Sequence, residues 1–350
     1  MSPAELRLEE AEELDAFRDE WDALAVRSRN IFATWEWLSL WRRQFADDRR
    51  LRIVGCRAPG GELVAVLPLY VAGTRPVRVL GFLGRGQGDE LGPVCAPGDR
   101  QSAADALRRT IESAGCDLFL GDDLAGDFGW AEQLGARVTD RMASPLVRFQ
   151  EQGWDEFMAV RSVSNRRQLG RLERRLSEQG LSYRLATDPG RLDEDLDNLF
   201  ALHEARWRGS PWFVSAKPFH REFAATALGR GWLRLWLMEL EGKPAAAWLG
   251  YRFAGVESYY QAGRDPAWDK FSVGGVLLAH TIRSALEDHM DEYRFLRGAE
   301  GYKFRFATDD PGVVSVARAT TPLGRAALVA RGARRALRRA AGRLFPAQLA

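Results

Sequence analysis

The residues best suited to chemistry gather between 257 and 306. Ser272-Val273-Gly274-Gly275 heads a run in which Val276, Leu277, Ala279 and Ile282 fall at helical spacing. Glycines at a helix start leave backbone N–H groups uncovered and let a ligand come close, so the positive helix end can receive an anion such as phosphate. An ordinary turn asks for the same glycines. Farther on, Glu300 and Lys303 are three apart, on one helical face, and Arg297 ends the apolar strand before them. Glu300 or Glu257 can accept a proton there, and Lys303 or Arg297 can hold a phosphate or carboxylate; a plain surface ion pair is the alternative. His203, in the run 199–212 with Trp207, is the natural general base at neutral pH, although a lone histidine also suits packing. Trp207 is a candidate substrate contact. Upstream, 154–179 reads as one helix with a Leu169, Leu172, Leu176 stripe, and Arg166, Arg167, Arg171, Arg174 and Arg175 crowd its other faces. Guanidinium forks bind phosphate bidentately, which makes Arg166 a candidate ligand contact; a solvated basic face needs no ligand.

The elements that must position these groups occur twice. Residues 51–82 and 233–263 each read as strand, Gly-containing turn, strand and third strand, and 103–121 echoes 278–298 as a helix followed by an apolar strand. The order recurs after about 180 residues, which predicts two similar halves in tandem. In the strand through 257–261, alternation places Glu257, Tyr259 and Gln261 on one side and Ser258 and Tyr260 on the other.

A chain of 350 residues with a 46% hydrophobic share fits two globular domains. The first 17 residues are acidic and read as helical, unlike a signal peptide, and no stretch of about 18 apolar residues occurs, so a cytoplasmic protein is expected. Cys56, Cys95 and Cys116 have no paired spacing and no neighbouring His, which speaks for buried apolar roles, with neither disulfides nor a metal expected. Phe32, Trp35, Trp37, Leu38 and Trp41 suit either a core or a substrate groove. The Gly-rich stretch 81–99 is a candidate cleft wall. Beyond residue 320 the charge pattern changes: seven Arg and no acid lie between Arg325 and Arg343, and Leu323, Ala330, Leu337 and Leu344 recur every seven residues. Such a tail can lie on an anionic membrane or hold a polyanion, or serve only solubility.

The run 199–306, with LHEARWRG, YYQAG, the SVGG helix start and FLRGAEGYKFRFA, resembles the acetyltransferase domain of CelD-type proteins in the GNAT superfamily. The duplicated layout, with an Arg-rich segment opening the second half, is similar to that of Fem-type aminoacyl transferases. The resemblance covers 32–319 and is most specific at Arg297 to Lys303. It implies an α/β (α+β) fold of tandem GNAT-like domains, each a mixed, largely antiparallel sheet flanked by helices, at 1–150 and 151–320 with a basic helical tail at 321–350. It further implies transfer of an acyl group from acetyl-CoA or another acyl-CoA to an amine or hydroxyl of a small molecule or a cell-surface polysaccharide precursor. Aminoacyl transfer from charged tRNA and a non-catalytic binding module are the other readings; apart from that tRNA route, no nucleic-acid partner is expected. The pyrophosphate loop of the family is altered here to Lys270-Phe271-Ser272-Val273-Gly274-Gly275. For thioester aminolysis, backbone amides at Gln261 to Gly263 can face the oxyanion, and Tyr302 is placed like the tyrosine that protonates the thiolate, or packs.

Overall fold

The computed structural model describes residues 6–46, 49–73, 76–207 and 212–344. The chain runs through β1 (Arg7–Ala11), α1 (Arg18–Ser28), α2 (Trp35–Phe45), β2 (Arg50–Arg57), β3 (Leu63–Ala72), β4 (Val79–Phe82), β5 (Val94–Cys95), α3 (Arg100–Ser113), β6 (Leu118–Ala125), α4 (Trp130–Gln133) and β7 (Arg137–Met142). It continues through β8 (Leu146–Arg148), α5 (Trp154–Ala159), α6 (Val163–Ser177), β9 (Ser182–Leu185), α7 (Leu192–Arg206), α8 (Trp212–Ser215), α9 (Lys217–Gly229), β10 (Leu233–Leu240), β11 (Lys243–Phe253), β12 (Val256–Arg264), α10 (Val273–Glu287), β13 (Glu292–Arg294), β14 (Val313–Ala319) and α11 (Pro322–Leu344).

Two compact units result. Of the described residues, one contains those up to 28, 32–142 and those from 312 to 344, the other 143–311 with 29–31. Each has a mixed sheet flanked by helices, ordered β1-β2-β3-β4-β6-β14-β7 in the first, with β5 on β3, and β8-β13-β12-β11-β10-β9 in the second. The duplication is explicit in the pairing. An antiparallel meander, β1 to β4 or β9 to β12, is followed by a crossover helix, α3 or α10, and then a strand parallel to the last of the meander. The apolar stripes explain the layers: α3 covers its sheet with Ala103, Leu107 and Ile111, and α10 does so with Val276, Ala279 and Ile282.

Three details depart from the sequence reading. Arg7–Ala11 is a strand, because Leu6 and Leu8 pack on the first core while Glu9 pairs with Arg57 and Arg7 outside it. The helix expected over 154–179 is two, with Ser162 accepting from the Asn165 N–H at 3.2 Å to start the second; its Leu172 and Leu176 are buried as the stripe required. The expected boundaries at 150 and 320 also shift. Val313, Val314, Val316 and Ala317 are each at most 3% exposed, so this strand needs partners on both edges, which β6 and β7 supply in the first sheet. In that unit the aromatic run is core: Phe32, Trp37 and Trp41 are buried, with Phe32 edge-on to Trp37 at 4.8 Å. The three cysteines are likewise buried and free.

Candidate active site in the second unit

The head of α10 is open. Ser272, in the left-handed region at φ 50°, turns the chain into the helix without capping it through its side chain. Its carbonyl accepts from Gly275 N–H at 2.8 Å and Val276 N–H at 3.1 Å. Among the described residues nothing accepts from the amides of Val273 and Gly274, so the anion cradle narrows from Ser272–Gly275 to these two donors. A Cβ at Gly275 meets nothing within 4 Å, and one at Gly274 meets only Arg264 Cδ, at 3.6 Å. Free space therefore lies directly over the first turn.

That space is a groove with a cavity volume of about 40 Å³, room for a few waters, lined by Asn165, Gln168, Ser272, Gly275, Tyr302 and Arg305 among others. Asn165 brings a buried Nδ2 donor that has no partner among the described residues. Arg305 and Arg264, the latter held by Asp269 at 2.7 Å, add positive charge. Neither Asn165 nor Gln168, Arg264 or Arg305 stood out in the sequence; the Ser-Asn pair just before the arginine run was the available signal for the first.

The sheet is split beside this groove. β13 pairs with β12 only from Glu292 to Arg294, opposite Val256 to Ser258. Past that point Phe295 N–H donates to Pro145 and Gly298 N–H to Ala143, so the chain leaves β12 and its edge from Tyr259 on is unladdered on that side. β12 also carries a bulge. Gly250 pairs with Tyr259 and Leu249 with Gln261, which leaves Tyr260 as the extra residue. The bulge corrects the expected facing. Tyr259 packs with the α10 side, whereas Tyr260 meets His220 and Phe213, and Gln261 follows it to hydrogen-bond His203 on α7. His203 is 3% exposed, and burial pushes its imidazole down to about 4 against the opposing bond from Gln261. It is neutral at pH 7, and its Nδ1 has no partner among the described residues.

Tyr302 joins the two sides. It lines the groove, its hydroxyl stands 3.5 Å from that of Tyr259, and burial, with Tyr259 beside it, holds its phenol well above the usual tyrosine range, while Arg206 pulls the other way. Trp207, just past the end of α7, is 41% exposed under the Arg206 guanidinium at 4.7 Å. Arg166 sits on α6 beside Asn165 but does not line the groove.

The charged cluster read from the sequence has another role. Lys303 is 3% exposed, and its ammonium donates to the carbonyls of Arg297 at 2.7 Å, Leu296 at 3.3 Å and Gly298 at 3.5 Å, and to Glu300 at 2.9 Å. It staples the turn that carries the chain away from β12, a turn with Leu296 at φ 58° and Gly298 at φ 124°. Lys303 is therefore not a ligand contact. Glu300 is its counter-ion rather than a base, and Arg297 contributes its carbonyl to the staple. Glu257 is corrected too. It is fully buried at the far end of β12, four residues or roughly 13 Å of strand from Gln261. Arg252 grips it at 2.6 Å with Arg234 at 3.9 Å, and burial raises its carboxyl against both guanidiniums. It holds the β11–β12 hairpin together.

Residues 163–304, which span α6, the bulge, α10 and Tyr302, match the family model described as acetyltransferase (GNAT) domain. No curated protein sequence matches. Among solved structures, FemX is similar with a TM-score of 0.63 at 12% identity, covering 90% of this chain and 98% of that one. L-PGS from Bacillus licheniformis follows with 0.56 at 11%, over 89% and 94% of the two chains. The tandem GNAT protein from the clavulanic acid biosynthesis pathway gives 0.50 at 14%, over 90% and 99%. At such identities the likeness is one of fold. Residues 163–304 of the second unit are thus similar to a GNAT acetyltransferase domain, and the two-unit fold is like that of FemX and of the tandem GNAT protein.

Proposed function

We propose that the second unit transfers an acyl group from acetyl-CoA or another acyl-CoA to an amine or hydroxyl of a small molecule or a cell-surface polysaccharide precursor. The observation that carries this reading is the uncapped first turn of α10, open to a groove beside a split strand edge. The donor's diphosphate meets the Val273 and Gly274 amides, with Arg264 and Arg305 as cations. Its extended amide-bearing arm can run along the free edge of β12, as a strand would. The thioester then comes to the bulge, where amides at Gln261 to Gly263 face the oxygen that gains charge. The acceptor nitrogen or oxygen attacks the carbonyl carbon, the C–S bond breaks, and the thiolate takes the Tyr302 hydroxyl proton. The acceptor's own proton leaves through the His203 side of the strand, where a neutral imidazole can take it.

A second reading keeps the same groove and changes the donor to an aminoacyl-tRNA. The arginine run on α6, flanking Asn165, favours it, as does the fold shared with FemX and L-PGS. Calorimetric titration of the full chain with acetyl-CoA, and separately with charged tRNA, tests both. Micromolar binding of acetyl-CoA supports the first reading, binding of charged tRNA alone replaces it by the second, and binding of neither removes both.

A further inference from the structure

We infer that the donor's ribose carries a phosphate monoester, and that Arg175 on α6 and Lys270, just before the head of α10, hold it; this rests on the transfer reading proposed above. Of the two basic runs in the sequence, the tail's side chains from 334 on lie outside the described residues, whereas the run on α6 is described throughout. The Arg175 guanidinium stands 4.9 Å from the centre of the Phe271 ring, and the Lys270 ammonium 5.0 Å from the same centre. Phe271 is buried in the core of the unit, 5.6 Å from the Trp268 ring, and immediately precedes Ser272. The ring therefore gathers two cations next to the open first turn of α10.

The acids of that turn are already engaged. Asp269 is held by Arg264 at 2.7 Å, and Asp265 accepts from the Ala267 N–H at 2.9 Å. Among the described residues no carboxylate pairs with Arg171, Arg175 or Lys270, whereas Arg221 has Asp193 and Asp197 and Arg283 has Glu287. Two like charges on one ring raise each other's energy, and an anion between them lowers it. The run of the groove decides which part of the donor supplies that anion. Gln168, Arg171 and Arg175 follow one another along one flank of α6 at spacings of three and four residues, so the flank leads about 10 Å from the groove to the Phe271 ring. Asn165 and Tyr302 are at the groove, where the donor's arm leaves for β12, and Arg175 is at the other end. With the diphosphate on the Val273 and Gly274 amides, the group that reaches Arg175 and Lys270 is the one joined to the diphosphate on the side away from the thioester. In an acyl-CoA that group is a ribose with a 3′-phosphate. A monoester carries a charge of about −1.5 to −2 at pH 7 and three acceptor oxygens, which matches a guanidinium and an ammonium together; a diester in an RNA chain brings a single charge.

Calorimetric titration of the full chain with coenzyme A and with dephospho-coenzyme A, which lacks only the 3′-phosphate, tests this. The natural chain should bind coenzyme A at least about tenfold more tightly. The double variant Arg175→Gln with Lys270→Gln should bind the two with equal affinity, at the level of dephospho-coenzyme A on the natural chain, with an unchanged melting temperature. Equal affinities on the natural chain overturn the inference and leave the transfer reading standing, as does a preference for coenzyme A that survives the double substitution. Binding of neither compound removes the inference together with the transfer reading beneath it.

Discussion

Gly275→Asp separates folding from donor binding. The position lies in the first turn of α10, and a Cβ there meets nothing within 4 Å, so the aspartate enters free space. Stability should not suffer. Aspartate is a better helix residue than glycine by a few tenths of a kcal/mol, and a negative charge in a first turn adds about 0.3 to 1 kcal/mol. For a phosphate seated on the Val273 and Gly274 amides the carboxylate is a like charge at roughly 5 Å. With an effective dielectric between 20 and 40 the repulsion is about 2 to 3 kcal/mol, or a loss of affinity of about 30- to 150-fold. Titration calorimetry with coenzyme A reads the affinity, and a thermal melt of the same sample reads the fold. Gly275→Ala is the control: it fills the same space without charge and should bind within about threefold of the natural chain while melting slightly higher. A well-folded Gly275→Asp protein with unchanged affinity for coenzyme A would show that the anion does not sit on this turn.

Replacing the staple, Lys303→Met, should cost about 3 kcal/mol in denaturant unfolding, because buried carbonyls of Leu296 and Arg297 lose their donor; a cost under about 0.5 kcal/mol would mean the turn holds without it. Tyr302→Phe should lower kcat roughly 100-fold with little change in donor affinity, and since the phenol is shifted up, Tyr302 itself should produce no limb in the rate profile below pH 9. Equal kcat for the two proteins would return Tyr302 to packing. His203 and His220 are held at about 4 and about 3 by burial, below their unfolded value near 6.5. The unfolded chain therefore binds more protons in that window, and the stability of the neutral pair, complete above pH 6.5, is lost as pH falls from 6.5 toward 4. At pH 5.5 the loss is about 1 kcal/mol per histidine, so unfolding curves at pH 7 and 5.5 should differ by about 2 kcal/mol, and by about half as much in His203→Gln.

Much of the second unit was legible. The glycine pair, the apolar repeat after it and the doubled order of strands and helices each follow from residue type and spacing, and α10, its open first turn and the two meanders stand where they place them. What spacing does not carry is pairing over long distances. β14 follows the second unit in the chain and completes the sheet of the first, a choice made by the exposed edges of β6 and β7 rather than by its own sequence. The bulge at Tyr260 is hidden for a related reason. Tyr259-Tyr260-Gln261 is good strand sequence, and only the register against Leu249 and Gly250 shows that one residue is extra, which moves Gln261 to the His203 side.

The charged residues illustrate a further limit, and it bears on where the chemistry lies. Glu300 and Lys303 do pair as their spacing requires, at 2.9 Å, yet the acceptors that decide the role of Lys303 are carbonyls turned inward by the backbone at Leu296, which no spacing rule reaches. Glu257 is similar, since its partner Arg252 faces it across a strand pair. Both ion pairs hold the edges of the split in the sheet: one keeps the chain after β13 away from β12, the other ties the end of β12 that remains laddered. The Lys303–Glu300 charges nearest the opening are thereby spent on shape. Within it, the groups left to meet a ligand are mostly neutral donors, namely the amides of Val273 and Gly274, Asn165 Nδ2 and the Tyr302 hydroxyl, with Arg305 lining the groove and Arg264 beside Gly274. Neutral donors at a helix head bind an anion without bringing a counter-charge that must be desolvated with it.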